Sequence, residues 1–166
     1  MARLLRRGFE AGGLRVEVIK LAKPLYLLQR ELYRYAGREI DLYVQDQPLL
    51  ENIAVQLRRL SPSALVDDLL RRVDASDADV IVNDDLRDPR VDWPGMRRAG
   101  FQAIGIRVDE RLRRERLSQR HDLASIADST TTNDLALIRP DIVVDNNGSL
   151  RDLELVAEEI VHRTVA

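Results

Sequence analysis

Apolar positions along this chain alternate between helical and strand-like spacing. Leu4, Leu5 and Phe9 share one face of a helix over residues 2–11, with arginines on the other faces, and Gly12-Gly13 ends it. Residues 14–21 read as a strand, with Val16, Val18 and Leu21 as core positions. Pro24 opens a second helix that runs to about Tyr35, and Gly37 stops it. Helix, strand and helix in that order point to an α/β architecture.

The alternation continues. Residues 38–47 are a polar connection. From Pro48 to Leu60, the positions Leu49, Leu50, Ile53, Val55 and Leu57 suit a helix. Ser61-Pro62-Ser63 caps and restarts it, and residues 64–73 continue with Leu65, Val66, Leu69 and Leu70. The Val- and Ile-rich run 78–83 has the composition of a fully buried parallel strand. A short helix over 94–99 ends at Gly100, and residues 101–108 form a strand with Ile104 and Ile106 inside. A highly charged helix follows over 109–120, then a polar stretch, then a last strand at 141–144 after Pro140. Asn146-Asn147-Gly148 turns into a final helix over 149–163, where Ser149 and Asp152 have capping-box spacing.

Composition narrows the class. The 166 residues suit one domain with its own core, and 45% apolar with 33% charged residues suits a globular chain. A net charge of -2 gives no bulk attraction to nucleic acid or to an anionic membrane, so neither is expected as a partner. No apolar run approaches the ~20 residues that a membrane-spanning helix needs. The absence of cysteine removes disulfides, thiolate metal sites and cysteine nucleophiles, and a cytoplasmic location is expected. Lys20 and Lys23 are the only lysines, and arginine supplies the remaining positive charge.

Three stretches carry candidate chemistry. Asp84, Asp85 and Arg87 follow the strand at 78–83, and ligands of open α/β sheets bind at the carboxyl ends of strands. They read either as a site that orients a nucleophile and grips a phosphate or as a salt-bridged loop. The charged helix carries Arg111, Arg113, Arg114, Arg116 and Arg120, with Glu110 spaced to pair with Arg113 and Arg114. It reads either as a solvated, ion-paired surface or as a lid that brings positive charge over a polyphosphate. The loop 146–149 reads as a helix cap or as backbone that meets an adenine ring. His121 and His162 lack ligand spacing.

Taken in order, several segments resemble the deoxynucleoside monophosphate kinase family of P-loop kinases, with dephospho-coenzyme A kinase a more distant relative. Ala2-Arg3-Leu4-Leu5 looks like the helix after that family's phosphate loop. Leu21-Ala22-Lys23-Pro24-Leu25 is similar to its F-A-D-P-L segment. The run from Gln45 to Pro62 resembles the helix pair over the acceptor nucleotide. Asp85-Leu86-Arg87 matches its D-x-R, and residues 145–150 match its D-N-x-G-S-L.

The resemblance implies one domain over residues 1–166, with a lid at about 109–135. It implies a three-layer parallel sheet with helices on both faces, and transfer of the γ-phosphoryl group of ATP, with magnesium, to a small nucleotide-like acceptor. It gives Asp85 and Arg87 the catalytic roles, and Arg58, Asp84 and Lys23 the acceptor side. Arg113 and Arg114 become lid contacts to the nucleotide cofactor, with Asn146 and Gly148 near the adenine. No metal ligand is assigned.

The family's first, central strand and its G-x-x-x-x-G-K-S/T loop have no counterpart in these residues. With the loop goes its backbone N–H cradle, its lysine and its magnesium-holding hydroxyl. Little or no phosphoryl transfer is therefore expected of this polypeptide, and a non-catalytic nucleotide-binding or regulatory module is the alternative. The missing strand is expected to leave a gap in the sheet. Direct pairing, a strand from a partner such as a second copy in a homodimer, or a start that lies upstream would each resolve it; the last is the reading adopted.

Overall fold

The computed structural model describes residues 1–86, 88–119 and 136–165. Those residues make a mixed α/β fold of seven helices and four short strands. Helix α1 (Ala2–Ala11) buries Leu5 and Phe9, and the chain leaves it through Gly12 and Gly13. Gly13 takes φ +83, a left-handed conformation that glycine adopts without steric cost. Strand β1 (Val16–Val18) follows, then α2 (Lys23–Tyr35) with Pro24 in its first turn.

Helix α3 (Gln47–Leu60) is capped by Asp46, whose side chain accepts the Leu49 N–H at 3.2 Å. Helix α4 (Ala64–Asp74) buries Leu65, Val66 and Leu69 and leads to β2 (Val80–Val82). The remaining elements are α5 (Asp92–Arg98), β3 (Ile104–Arg107), α6 (Glu110–Gln119), β4 (Ile142–Asp145) and α7 (Leu150–Val165).

The helices lie where the pattern predicts them, within a residue or two. The strands are shorter, because only a few residues of each apolar run find a ladder partner. Ile19 falls outside β1 yet donates its N–H to the Val82 carbonyl at 3.0 Å, and it is more deeply buried than Val16 or Val18. Val55 is 61% exposed, because it lies about 200° around the helix from Ile53 and off the stripe that packs inward. Helix α5 begins earlier than its apolar residues suggest. Asp88 accepts the N–H groups of Arg90 and Val91, and its carbonyl accepts that of Trp93, so the first turn closes from upstream.

Among the described residues the strands form two parallel pairs, β1 with β2 and β3 with β4. Two apolar clusters cover the sheets. One holds Ile19, Leu21, Leu25, Leu69, Trp93 and Met96, with Ile81 against it. The other holds Leu5, Phe9, Val144, Ala157 and Ile160, with Val80 and Ile104 against it. Val80 and Ile81 are neighbours in one strand and point to opposite faces, so the two clusters lie on opposite sides of β2. Trp93 is thus a core residue, 7% exposed, with the Arg97 guanidinium 5.7 Å from its ring centre.

Candidate functional site

The site is built on the register of β1 against β2. Val16 pairs with Val80, Glu17 with Ile81 and Val18 with Val82. The same offset of 64 residues persists beyond both ends of the ladder. At the amino end, Arg15 meets Asp79 in a two-pronged ion pair at 3.2 and 3.0 Å, and the Arg15 N–H joins the same carboxylate. Those contacts hold the Asp79 carboxyl at about 2, well below its usual range. At the carboxyl end, Lys20 donates to Asp84 at 2.6 Å, and Leu21 N–H donates to Asp85 at 2.7 Å.

Asp85 has further partners. Its second oxygen accepts the Ala22 N–H at 3.0 Å, and the Asn83 side chain donates to the first at 2.7 Å while also donating to the Ile19 carbonyl. This carboxylate therefore organises the turn that leads from β1 into α2. Lys23 directly follows that turn, in the first turn of α2. Asp84 and Lys20 are about one-third exposed, so an incoming ligand can reach either partner. Partial burial lowers the Lys20 ammonium, and the hydrogen bond and charge of Asp84 outweigh it, leaving the group above its ordinary value. Lys20 also stands 6.0 Å from the centre of the Tyr43 ring.

Arg58, near the end of α3, is held by two carboxylates. It contacts Asp92 at 2.6 and 3.3 Å and Asp88 at 3.2 Å. The Asp92 side chain is fully buried, and Arg58 retains 26% exposure. Burial pushes the Asp92 carboxyl up, Arg58 pulls against it, and the nearby Asp88 and Asp85 charges add to the rise. The pair fastens α3 to α5 across the core.

The second group of expected residues lies around β4. Arg113 and Arg114 both pair with Glu110, which their hydrogen bonds hold below its usual range. Arg116 reaches farther, donating to the carbonyls of Asn146 at 2.8 Å and Gly148 at 3.0 Å. It ties α6 to the loop after β4, and Asn147 adds a link by accepting the Asp109 N–H at 2.8 Å. Asp152 and Ser149 cap α7 reciprocally. Arg87, His121 and the lid segment 120–135 lie outside the described residues; His162 is exposed.

The structure thus brings Asp84, Asp85 and Lys23 to one edge, and places Asn146 and Gly148 beside the Arg-rich helix. It adds Lys20 and Arg116, which sequence reasoning did not single out. Lys20 was within reach of a register argument, because the 64-residue spacing also sets Arg15 opposite Asp79. Arg116 carried no local signal beyond its membership of an arginine-rich helix.

The groups implied by the kinase resemblance meet this geometry unevenly. Magnesium takes open carboxylate oxygens, but Asp85 is saturated by N–H donors and Asp84 holds Lys20. Among the described residues no group of three or more His, Asp or Glu is placed to hold a metal ion. As arranged, these residues leave no open carboxylate for magnesium, and only Asp84, once released from Lys20, would offer one. An adenine placed at the Asn146 and Gly148 carbonyls would compete with Arg116. Among the described residues no helix is long and apolar enough to cross a membrane. No protein-family model matches the chain, and no curated protein matches it.

Proposed function

We propose that this chain is a scaffold of nucleoside monophosphate kinase type, which receives a small phosphate-bearing, nucleotide-like acceptor at the carboxyl edge of β1 and β2. The supporting observation is the collection of Lys20, Asp84 and Asp85 along that edge. In parallel α/β sheets this edge is where ligands bind. Lys20 can exchange Asp84 for a phosphate oxygen, and Arg58, whose fork is held by Asp92, adds positive charge on the acceptor side in this reading. Asp85 holds the backbone of Leu21 and Ala22, directly after Lys20, in place. Lys23 and Arg87 belong to the same acceptor side in this reading. In this reading the two parallel strand pairs would belong to the three-layer sheet that the family resemblance implies, and a cytoplasmic location goes with it.

Phosphoryl transfer by residues 1–166 is negligible in this proposal. Transfer depends on electrostatic stabilisation of the migrating phosphoryl group, and the sequence contains no G-x-x-x-x-G-K-S/T loop to supply it. ATP contacts through Arg113, Arg114, Asn146 and Gly148 are correspondingly weak. The engagement of Asp85 by backbone N–H groups favours a second reading, a non-catalytic module that binds the acceptor and transfers nothing.

Calorimetry with nucleoside monophosphates and with magnesium–ATP tests the proposal. Binding of a monophosphate that weakens on Lys20→Ala, without ATP turnover, is the expected result. Turnover at ~1–100 s⁻¹, the ordinary range of kinases, would overturn the inactive reading. No binding of any monophosphate would overturn the site itself.

A further inference from the structure

Residues 41–46 carry neither helix nor strand, yet side chains of α2 fix three of them in succession. The wholly buried Gln29 donates to the Val44 carbonyl at 2.7 Å and accepts the Asp46 N–H at 3.2 Å. Gln45 donates to the Tyr26 hydroxyl at 3.0 Å, and Asp46 accepts the Tyr33 hydroxyl at 2.8 Å while it caps α3. A buried side-chain amide is costly unless it is hydrogen-bonded. Both ends of Gln29 find their partners in this one segment, which is thereby fixed on α2.

The segment presents Tyr43 at the carboxyl edge of β1. The Tyr43 ring meets that of Tyr26 edge-on, with centroids 5.3 Å apart and planes at 77°, and Tyr43 stays 48% exposed. Tyr26 is buried, so it supports Tyr43 without competing for a ligand. The Lys20 ammonium stands 6.0 Å from the Tyr43 ring centre. The Lys20 backbone is held as well, since Arg72, paired with Asp68, donates to its carbonyl at 2.8 Å. A half-exposed tyrosine alone is ordinary. This one differs in its fixed backbone and in the cation beside it, which comes from a distant part of the chain. Ring and ammonium are both positioned before any ligand arrives.

We infer that Tyr43 is the platform on which a planar ring of the acceptor stacks while the acceptor's phosphate takes Lys20 from Asp84. The inference rests on the acceptor reading of this edge and names a residue that sets its specificity. The short separation of Lys20 from Tyr43 suits a phosphate and a ring joined through one pentose. Every base has a π face, so stacking of this kind tolerates different bases. Tyr43 therefore selects for the presence of a ring, and phosphates without one are the ligands it disfavours.

The test is calorimetry with AMP, CMP and ribose 5-phosphate. The better-bound nucleotide is expected to bind at least about ten-fold more tightly than ribose 5-phosphate, the scale of base–aromatic stacking. Tyr43→Leu is expected to remove that difference and to leave the affinity for ribose 5-phosphate unchanged, whereas Tyr43→Phe keeps it. The Tyr43 ring protons are expected to move upfield with the nucleotide and to stay in place with ribose 5-phosphate. Equal affinity for nucleotide and ribose 5-phosphate, both weakened by Lys20→Ala, would overturn the platform and leave the phosphate edge standing. A loss on Tyr43→Leu shared equally by ribose 5-phosphate would make the ring a structural support, which also overturns it. If none of the three ligands binds, the acceptor reading is overturned and the platform goes with it.

Discussion

Lys20 reaches Asp84 at 2.6 Å, and the two stand in the 64-residue register that pairs Val16 with Val80. The ladder itself is short, and ion pairs extend it at both ends. Arg15 with Asp79 closes the amino end, and Lys20 with Asp84 closes the carboxyl end. The edge at which a ligand is proposed to bind is therefore also a clamp on the β1–β2 pair.

The amino-end clamp sets an acid response. Asp79 has a folded-state value of about 2, below that of an unfolded aspartate. Its contribution is present above pH ~4 and is lost as pH falls toward 2. Asp79→Asn is expected to flatten stability against pH in that window, as read by urea unfolding across pH 2–5. An unchanged slope would contradict the assignment.

The carboxyl-end clamp responds at the other extreme. Lys20 is raised above its ordinary value, so its contribution is complete below about pH 10 and is lost above it. A nucleoside monophosphate that displaces Asp84 from Lys20 should change the Asp84 carboxyl chemical shift on binding. An Asp84 signal indifferent to bound ligand would separate the clamp from the site.

Asp92 is a wholly buried carboxylate with Arg58 as its principal counter-charge. Arg58→Met is expected to cost about 3–5 kcal/mol at pH 7, because it leaves that charge uncompensated. The double variant Arg58→Met/Asp92→Leu should recover most of the loss. Denaturant unfolding of the single and double variants measures both effects. Additive losses would show that the two residues do not act as a pair.

Asp85→Ala removes the acceptor of two part-buried N–H groups, those of Leu21 and Ala22. A cost of about 1–3 kcal/mol follows from leaving such donors unsatisfied, with faster amide exchange at both positions. Asp85→Asn keeps an acceptor oxygen and should lose less. Equal costs for the two variants would mean that the carboxylate acts through its charge alone.

Gly148 has no room for a side chain, since a Cβ there would meet Asp152 Oδ2 at 2.6 Å. Gly148→Ala is expected to displace Asp152 from Ser149, at a cost of about 0.5–2 kcal/mol, the range for a lost helix cap. The Asp152 carboxyl, now held below its usual range by Ser149, should return toward it. An Asp152 titration that does not move would show that the cap survives.

Helix positions, the Ser149–Asp152 cap and the glycine turn at residue 13 were legible in the sequence, because each depends on residues within a few positions of one another. Apolar period and turn chemistry act locally, and they place the helices whatever else the chain does. The candidate edge was legible in part. Asp84 and Asp85 stood out because carboxylates follow a buried strand, but their partners did not. Lys20 and Leu21 become neighbours of those aspartates only when β1 pairs with β2, and no local pattern carries that offset. The same holds for Arg58, whose two carboxylates come from the segment leading into α5, and for Arg116, which crosses to the loop after β4. The sequence by itself determined which segments are helix or strand and which ends are charged. Only the tertiary structure decided which charges meet and which carboxylates are already engaged, because ladder register and interhelical packing are fixed by burial between residues distant along the chain.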